Sequence, residues 1–256
     1  MITAVGGAGH DRQPVQAPLT AQQGRGPGLP RSAEVVSLSA HENHRPPAPT
    51  PPGRTRMTGA TKLCITRHGE TDWNITGILQ GWIDVPLNDN GRRQARELAE
   101  TLADCRFPCV CTSPLRRSAE TAEIIAAVWG LPPPLVYEGL KERHFGHIQG
   151  MPKSELQISH PGLHQELMRR NPACLFEDGE SVDHFADRVR DALVDIARDH
   201  AGTRVLVITH GWVMDAITRQ IKQLPRTTVL DMKRKNGESV WLLHQADDTF
   251  IESDAA

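Results

Sequence analysis

Two short apolar runs in this chain end in nearly the same way, Ile65-Thr66-Arg67-His68-Gly69 and Ile208-Thr209-His210-Gly211. Residues 63–66 and 205–208 are continuous apolar stretches of the kind that lie buried on both faces of a parallel sheet. Two parallel strands joined across some 140 residues require crossovers, and the intervening sequence supplies them as helices. Residues 91–104 put Ala95, Leu98, Ala99, Leu102 and Ala103 on one helical face, and residues 181–199 do the same with Val182, Phe185, Ala186, Val189, Leu193 and Ile196. Residues 109–112 read as a strand. Ser113-Pro114 then reads as an N-cap with proline at the first helical position, opening a helix to about Trp129. Residues 135–137 are a further strand, a helix begins near Trp212, and residues 239–244 and 250–251 form a terminal hairpin. Strands separated by helices imply right-handed crossovers. The expected fold is α/β, a three-layer sandwich whose mostly parallel central sheet carries helices on both faces.

This texture begins only at Met57. Residues 1–56 hold nine of the 19 prolines and seven of the 21 glycines, no Phe, Trp or Tyr, and no helical or alternating period. They are expected to be a disordered leader that contributes nothing to the core; the alternative is a docking tail using the Pro-rich piece at 45–52. The domain is expected over 57–256. The whole chain has 29 Lys and Arg against 31 Asp and Glu, a balance that argues against nucleic acid or an anionic membrane as partner. No apolar run approaches the ~18 residues that a bilayer-spanning helix needs, and no signal peptide opens the chain, so the expected compartment is the cytoplasm. Five cysteines, Cys64, Cys105, Cys109, Cys111 and Cys174, show no paired metal spacing and read as reduced thiols. Cys109 and Cys111 read as ordinary strand residues.

In an open α/β sheet the carboxyl ends of strands define the ligand crevice, so His68 and His210 can face one pocket. A local rule is broken beside it: Arg116 and Arg117 fall in the first turn of a helix, where the macrodipole disfavours cations. Such a violation is expected at a functional site, and free helix N–H groups combined with guanidinium suit a phosphate.

These residues carry a resemblance. Arg67-His68-Gly69-Glu70-Thr71 with Asn74, Gly81-Trp82-Ile83-Asp84-Val85-Pro86-Leu87 with Gly91, and Ser113-Pro114-Leu115 with Arg117, Thr121 and Ala122 follow one another in order. Leu140, Glu142, Phe145-Gly146, Gln149-Gly150, Gly179-Glu180-Ser181 and Thr209-His210-Gly211 complete the series. From residue 62 to about 245 the chain resembles the histidine phosphatase superfamily, in its phosphoglycerate mutase-like branch. The resemblance implies His68 as nucleophile, Arg67, Arg117 and His210 as the phosphate pocket, and Glu142 as proton donor. Asn74, Gln80, Gly81 and Gly211 are implied as further substrate contacts. The implied partner is a small phosphorylated substrate, the implied enzyme a metal-independent, histidine acid phosphatase-type hydrolase without cofactor, and the expected assembly a monomer or homodimer.

The chemistry agrees with those roles. A neutral imidazole attacks phosphorus, and adjacent guanidinium groups favour its unprotonated form while neutralising phosphoryl oxygens. Departure of an alkoxide needs a proton, which a carboxyl with an elevated pKa supplies. No Asp/Glu cluster with metal-ligand spacing accompanies these residues. Three functions compete: a phosphatase, a 2,3-bisphosphoglycerate-dependent mutase, and an inert phosphate-binding module. The short segment between Gln149 and Gly179 favours the phosphatase, because a mutase must close over and retain its intermediate. That segment, about 151–178, is the expected cap over the substrate, with Arg169 and Arg170 either recognising a second anion or simply solvated.

Overall fold

The computed structural model describes residues 60–254. The expectations for residues 1–56 and the boundary at Met57 lie outside the described residues. The chain forms β1 (Lys62–Arg67), α1 (Asp72–Thr76), α2 (Asp89–Thr101), β2 (Val110–Thr112), α3 (Arg116–Trp129) and β3 (Leu135–Val136). It continues with α4 (Lys153–Ser159), α5 (Pro161–Met168), α6 (Val182–Asp199), β4 (Arg204–Thr209), α7 (Gly211–Ile221), β5 (Ser239–His244) and β6 (Phe250–Glu252). One six-stranded sheet runs in the order β3-β2-β4-β1-β5-β6. The first four strands of that order are mutually parallel, and the β5-β6 hairpin adds antiparallel to β1.

The period of two along the central strands separates two cores. Leu63, Ile65, Val205 and Val207 point to one face and pack with Phe185, Val189, Leu193 and Ile196 of α6 and Val213, Met214 and Ile217 of α7. Cys64, Val110, Leu206 and Ile208 point to the other and pack with Leu98 and Ala99 of α2 and Ala122, Ile125 and Ala126 of α3. The three-layer expectation is therefore met, with an antiparallel edge. Burying each branched side chain here contributes ~1.5–3 kcal/mol, so truncating Ile65 or Val207 to alanine loosens both the sheet and the helix it meets. Among the described residues no helix is long and apolar enough to cross a membrane.

Several boundaries differ from the sequence reading for local reasons. Helix α2 begins at Asp89, because Asn88 caps it through a bond from Gly91 N to Asn88 Oδ1 of 2.8 Å. It stops at Thr101, and residues 103–105 turn as a 3₁₀ segment. Ser113 is not the cap of α3. The helix starts at Arg116, and its amide donates to Asp84 Oδ1 at 2.6 Å, so the capping carboxylate comes from another loop. The Ser113 hydroxyl accepts from Leu115 N at 3.3 Å, ahead of the helix, and meets His210 in the crevice.

Candidate active site

The register sets the crevice. Arg67 of β1 pairs with Thr209 of β4, so His68 and His210 leave adjacent parallel strands at one level. Their ring centroids stand 5.2 Å apart and both side chains are buried. His68 Nδ1 lies 2.6 Å from the Gly69 carbonyl, which can only accept, so Nδ1 carries the hydrogen and a neutral ring keeps its lone pair on Nε2. Burial, with Arg117 and Arg67 nearby, holds the His68 pKa well below the ordinary histidine value, which keeps that lone pair available. The strand-end turn needs glycine: a Cβ on Gly69 would sit 2.6 Å from the Gly91 carbonyl oxygen. Loop 222–238 clamps His68 from behind, with Asn236 Nδ2 donating to the His68 carbonyl at 2.7 Å and Arg67 Nη1 donating to the Arg234 carbonyl at 2.6 Å.

Arg117, at the second position of α3, is 1 % exposed. Its Nη1 and Nη2 donate to the carbonyls of Ile83 (3.1 Å) and Gly81 (2.8 Å), which aim the guanidinium. Burial lowers its pKa to about 10, so it remains a cation at neutral pH. His210 Nε2 pairs with Ser113 Oγ at 2.8 Å. Burial, then Arg117 and His68, hold its ring well below the ordinary histidine value. Glu142 is buried, and its carboxylate accepts from Arg143 N (3.1 Å) and Trp212 N (3.2 Å) at the start of α7. Burial still dominates and pushes its pKa upward, against the opposing pull of Arg117 and Arg170.

Arg170 joins this group. Its Nε donates to the fully buried Asp215 at 2.6 Å, and Asp215 also meets Arg234 at 3.2 Å. Arg170 Nη2 also lies 2.6 Å from the same Asp215 oxygen, so the guanidinium is held there as an ion pair. A Cβ on Gly211 would meet Arg170 Nη2 at 3.4 Å and Arg67 Nε at 3.7 Å, so both guanidinium groups flank the N-terminus of α7. Six buried side-chain polar atoms among the described residues have no hydrogen-bond partner. Three of them, Arg67 Nε, Arg117 Nε and His210 Nδ1, lie around His68. Buried polar groups are normally satisfied, so this concentration marks a site built for a polar anion. Among the described residues no cluster of three His, Cys, Asp or Glu ligand atoms forms at His68.

The structure thus brings together Arg67, His68, Arg117, Glu142, His210 and Gly211. Asn74 Oδ1 accepts from Thr71 N (3.1 Å) as the capping box of α1. Gln80 Nε2 donates to Thr71 Oγ1 at 2.9 Å, and Gly81 contributes the carbonyl that orients Arg117. The two arginines of the cap separate, Arg169 toward solvent with Glu166 and Arg170 inward. Sequence reasoning missed two supports. Arg188 of α6 holds Glu180 and donates to the Glu142 carbonyl at 2.9 Å, and Trp82 Nε1 donates to the same carbonyl at 2.6 Å. Arg188 gave no signal beyond an arginine on a helix.

A family model for the histidine phosphatase superfamily (branch 1) matches residues 63–254. Phosphoglycerate mutase-like protein 4 of Arabidopsis thaliana is 34% identical over 207 residues, covering 75% of this chain and 90% of that protein. The metal-independent phosphoserine phosphatase of Arabidopsis thaliana is 40% identical over 165 residues, covering 64% and 69%. The solved structure of Bacillus stearothermophilus YhfR superposes with a TM-score of 0.69 at 29% identity, covering 76% of this chain and 96% of that one.

Proposed function

The chain belongs to the histidine phosphatase superfamily, and from that premise we propose that it hydrolyses a small phosphomonoester through a phosphohistidine on His68, without a metal ion. The observation that carries this reading is the His68 ring itself, locked by Gly69 with Nε2 free and flanked by the unpartnered Nε atoms of Arg67 and Arg117 and by His210 Nδ1. Nε2 attacks phosphorus while those groups neutralise the equatorial oxygens as charge builds on them. Glu142, whose pKa burial raises, gives its proton to the leaving alkoxide. The same carboxylate then takes a proton from water, which attacks the phosphohistidine and releases phosphate. The Asn74 amide nitrogen remains as a donor for the phosphate, since only its oxygen is spent on the cap. Positive charge is supplied entirely by side chains, which is why no metal is invoked.

The Arabidopsis relative of 40% identity is a phosphoserine phosphatase, whose substrate carries a carboxylate beside its phosphate. Arg170 supports a substrate of that class here. It is a cation at the mouth of the pocket, and Lys153 close by has its pKa lowered by burial and by Arg170 and Arg67. The cap, α4 and α5, is short, and this favours water over a retained hydroxyl as acceptor. Rapid quench with radiolabelled substrate should trap label on the protein that is stable to alkali and lost in mild acid, and His68→Ala should abolish it. With a monophosphoglycerate and a trace of the bisphosphate, release of phosphate should outpace isomerisation. An acid-stable adduct would overturn the nucleophile, and rapid isomerisation with negligible release would make the enzyme a mutase.

A further inference from the structure

Away from the crevice, at the opposite end of β2, three soft ligands meet. Cys109 immediately precedes β2 and Cys111 lies within it, so the alternation of an extended chain turns both thiols to one side. That side is covered by the end of α6, where His200 is the C-terminal cap. Cys109 Sγ lies 3.5 Å from His200 Nδ1, and Cys111 Sγ lies 3.9 Å from His200 Nε2. All three candidate ligand atoms fall within 4.8 Å of one another, and Cys111 and His200 are buried while Cys109 is half-buried. Cys109 and Cys111 read as ordinary strand residues because His200 is 91 residues from Cys109 and the thiols alone have no metal spacing.

We propose that Cys109, Cys111 and His200 form a zinc site. With Zn–S of about 2.3 Å and Zn–N of about 2.0 Å, a tetrahedral centre has S···N edges of about 3.6 Å and S···S edges of about 3.8 Å. The two thiols meet different ring nitrogens of His200, and only one nitrogen can ligate; with that one chosen, all three ligand atoms still lie within 4.8 Å of one another, so binding asks one thiol to close on the shared ion. Two thiols with one imidazole select a soft or borderline d¹⁰ cation over Mg²⁺ or Ca²⁺. Binding breaks two S–H bonds, forms two S–Zn bonds and one N–Zn bond, and releases two protons to solvent. The resulting centre, Zn²⁺ with two thiolates and a neutral imidazole, carries no net charge, which suits a site at the edge of the core. Water completes the tetrahedron on the half-buried Cys109 side. Cys109 and Cys111 stand four and two residues of extended chain, ~13 and ~7 Å, from Ser113, and neither thiol contacts His68, so the ion takes no part in phosphoryl transfer. Its effect is on stability: a cation that binds the folded chain raises its melting temperature by mass action. It also fastens the end of α6 to β2.

The test uses the full chain, freed of metal by chelator, with Co²⁺ as the spectroscopic probe. One equivalent of Co²⁺ should give a thiolate-to-cobalt charge-transfer band in the near ultraviolet, bleached by one equivalent of Zn²⁺. The band should vanish in Cys109→Ser and in His200→Gln and persist in Cys105→Ser. Cys109→Ser should release phosphate at the wild-type rate, which reports an intact fold, while losing the zinc-dependent rise in melting temperature. A wild-type chain without the band, or a band that survives either substitution in the cluster, would overturn the proposal.

Discussion

Replacing Glu142 by glutamine separates its role as a proton donor from its role as a packed side chain. The amide oxygen of glutamine can still accept from Arg143 N and Trp212 N, the contacts that the carboxylate makes at 3.1 and 3.2 Å, so the loop keeps its anchor. What is lost is the proton. A positioned general acid contributes about 10²–10⁴-fold, so hydrolysis of an alkyl phosphate, whose alkoxide cannot leave unprotonated, should slow ~10³-fold. Hydrolysis of p-nitrophenyl phosphate, whose phenolate leaves without help, should slow by less than about tenfold. The pH profiles carry the sign. Burial raises the Glu142 pKa, so the protonated form persists above the ordinary carboxylate range and activity on the alkyl ester falls as pH rises through that raised value. The acid side is limited by His68, whose pKa is lowered, so attack is lost only when pH falls through that depressed value. Glu142→Gln should remove the alkaline limb and leave the acid limb. Stability follows by linkage: a carboxyl whose folded pKa is raised contributes stability below its unfolded pKa and loses it as pH rises through the folded one. The glutamine variant should therefore melt no lower than wild type at alkaline pH. Equal losses on the two esters, or an alkaline limb that persists in the variant, would refute the assignment of Glu142 as the acid.

Arg170→Met leaves Asp215 its second partner, Arg234, at 3.2 Å, so the fold should survive. Hydrogen bonds to charged groups are worth about 1.5–3 kcal/mol, so kcat/KM for phosphoserine or 3-phosphoglycerate should fall at least about tenfold further than for p-nitrophenyl phosphate; equal losses would remove Arg170 from substrate selection. Turnover should survive EDTA and be inhibited by vanadate, since a five-coordinate oxyanion on His68 resembles the transition state, and a strict Mg²⁺ requirement would contradict the all-protein pocket. Arg117→Ala should cost about 10²–10³-fold in kcat by removing a preorganised donor, measured as phosphate release.

The fold was readable because two strands, at 62–67 and 204–209, repeat one pattern, and because α2 and α6 have clean amphipathic faces. The polarity of the crevice followed from where those strands end. What could not be read were contacts made across sequence. The α3 cap is Asp84 and not Ser113, because a loop thirty residues upstream folds over the helix start. The inward turn of Arg170 depends on Asp215, 45 residues later, and nothing local to Arg169-Arg170 distinguishes the two.

The misread cap and the broken helix rule have one cause. A helix that opens with Arg116-Arg117 places cations at its positive end, and a serine spent on capping would ease that conflict only for the amides. In the structure Asp84 takes the Arg116 amide, supplying both the hydrogen bond and a negative charge at the helix start. Ser113 Oγ, which accepts from Leu115 N at 3.3 Å, also meets His210 Nε2, and the carbonyls of Gly81 and Ile83, on the loop that carries Asp84, fix Arg117. One loop, 80–84, therefore both compensates the unfavourable helix start and aims the guanidinium whose presence made it unfavourable. The cost of putting Arg117 where the dipole opposes it is offset by that loop, and the result is a cation held rigidly beside His68 before any substrate arrives.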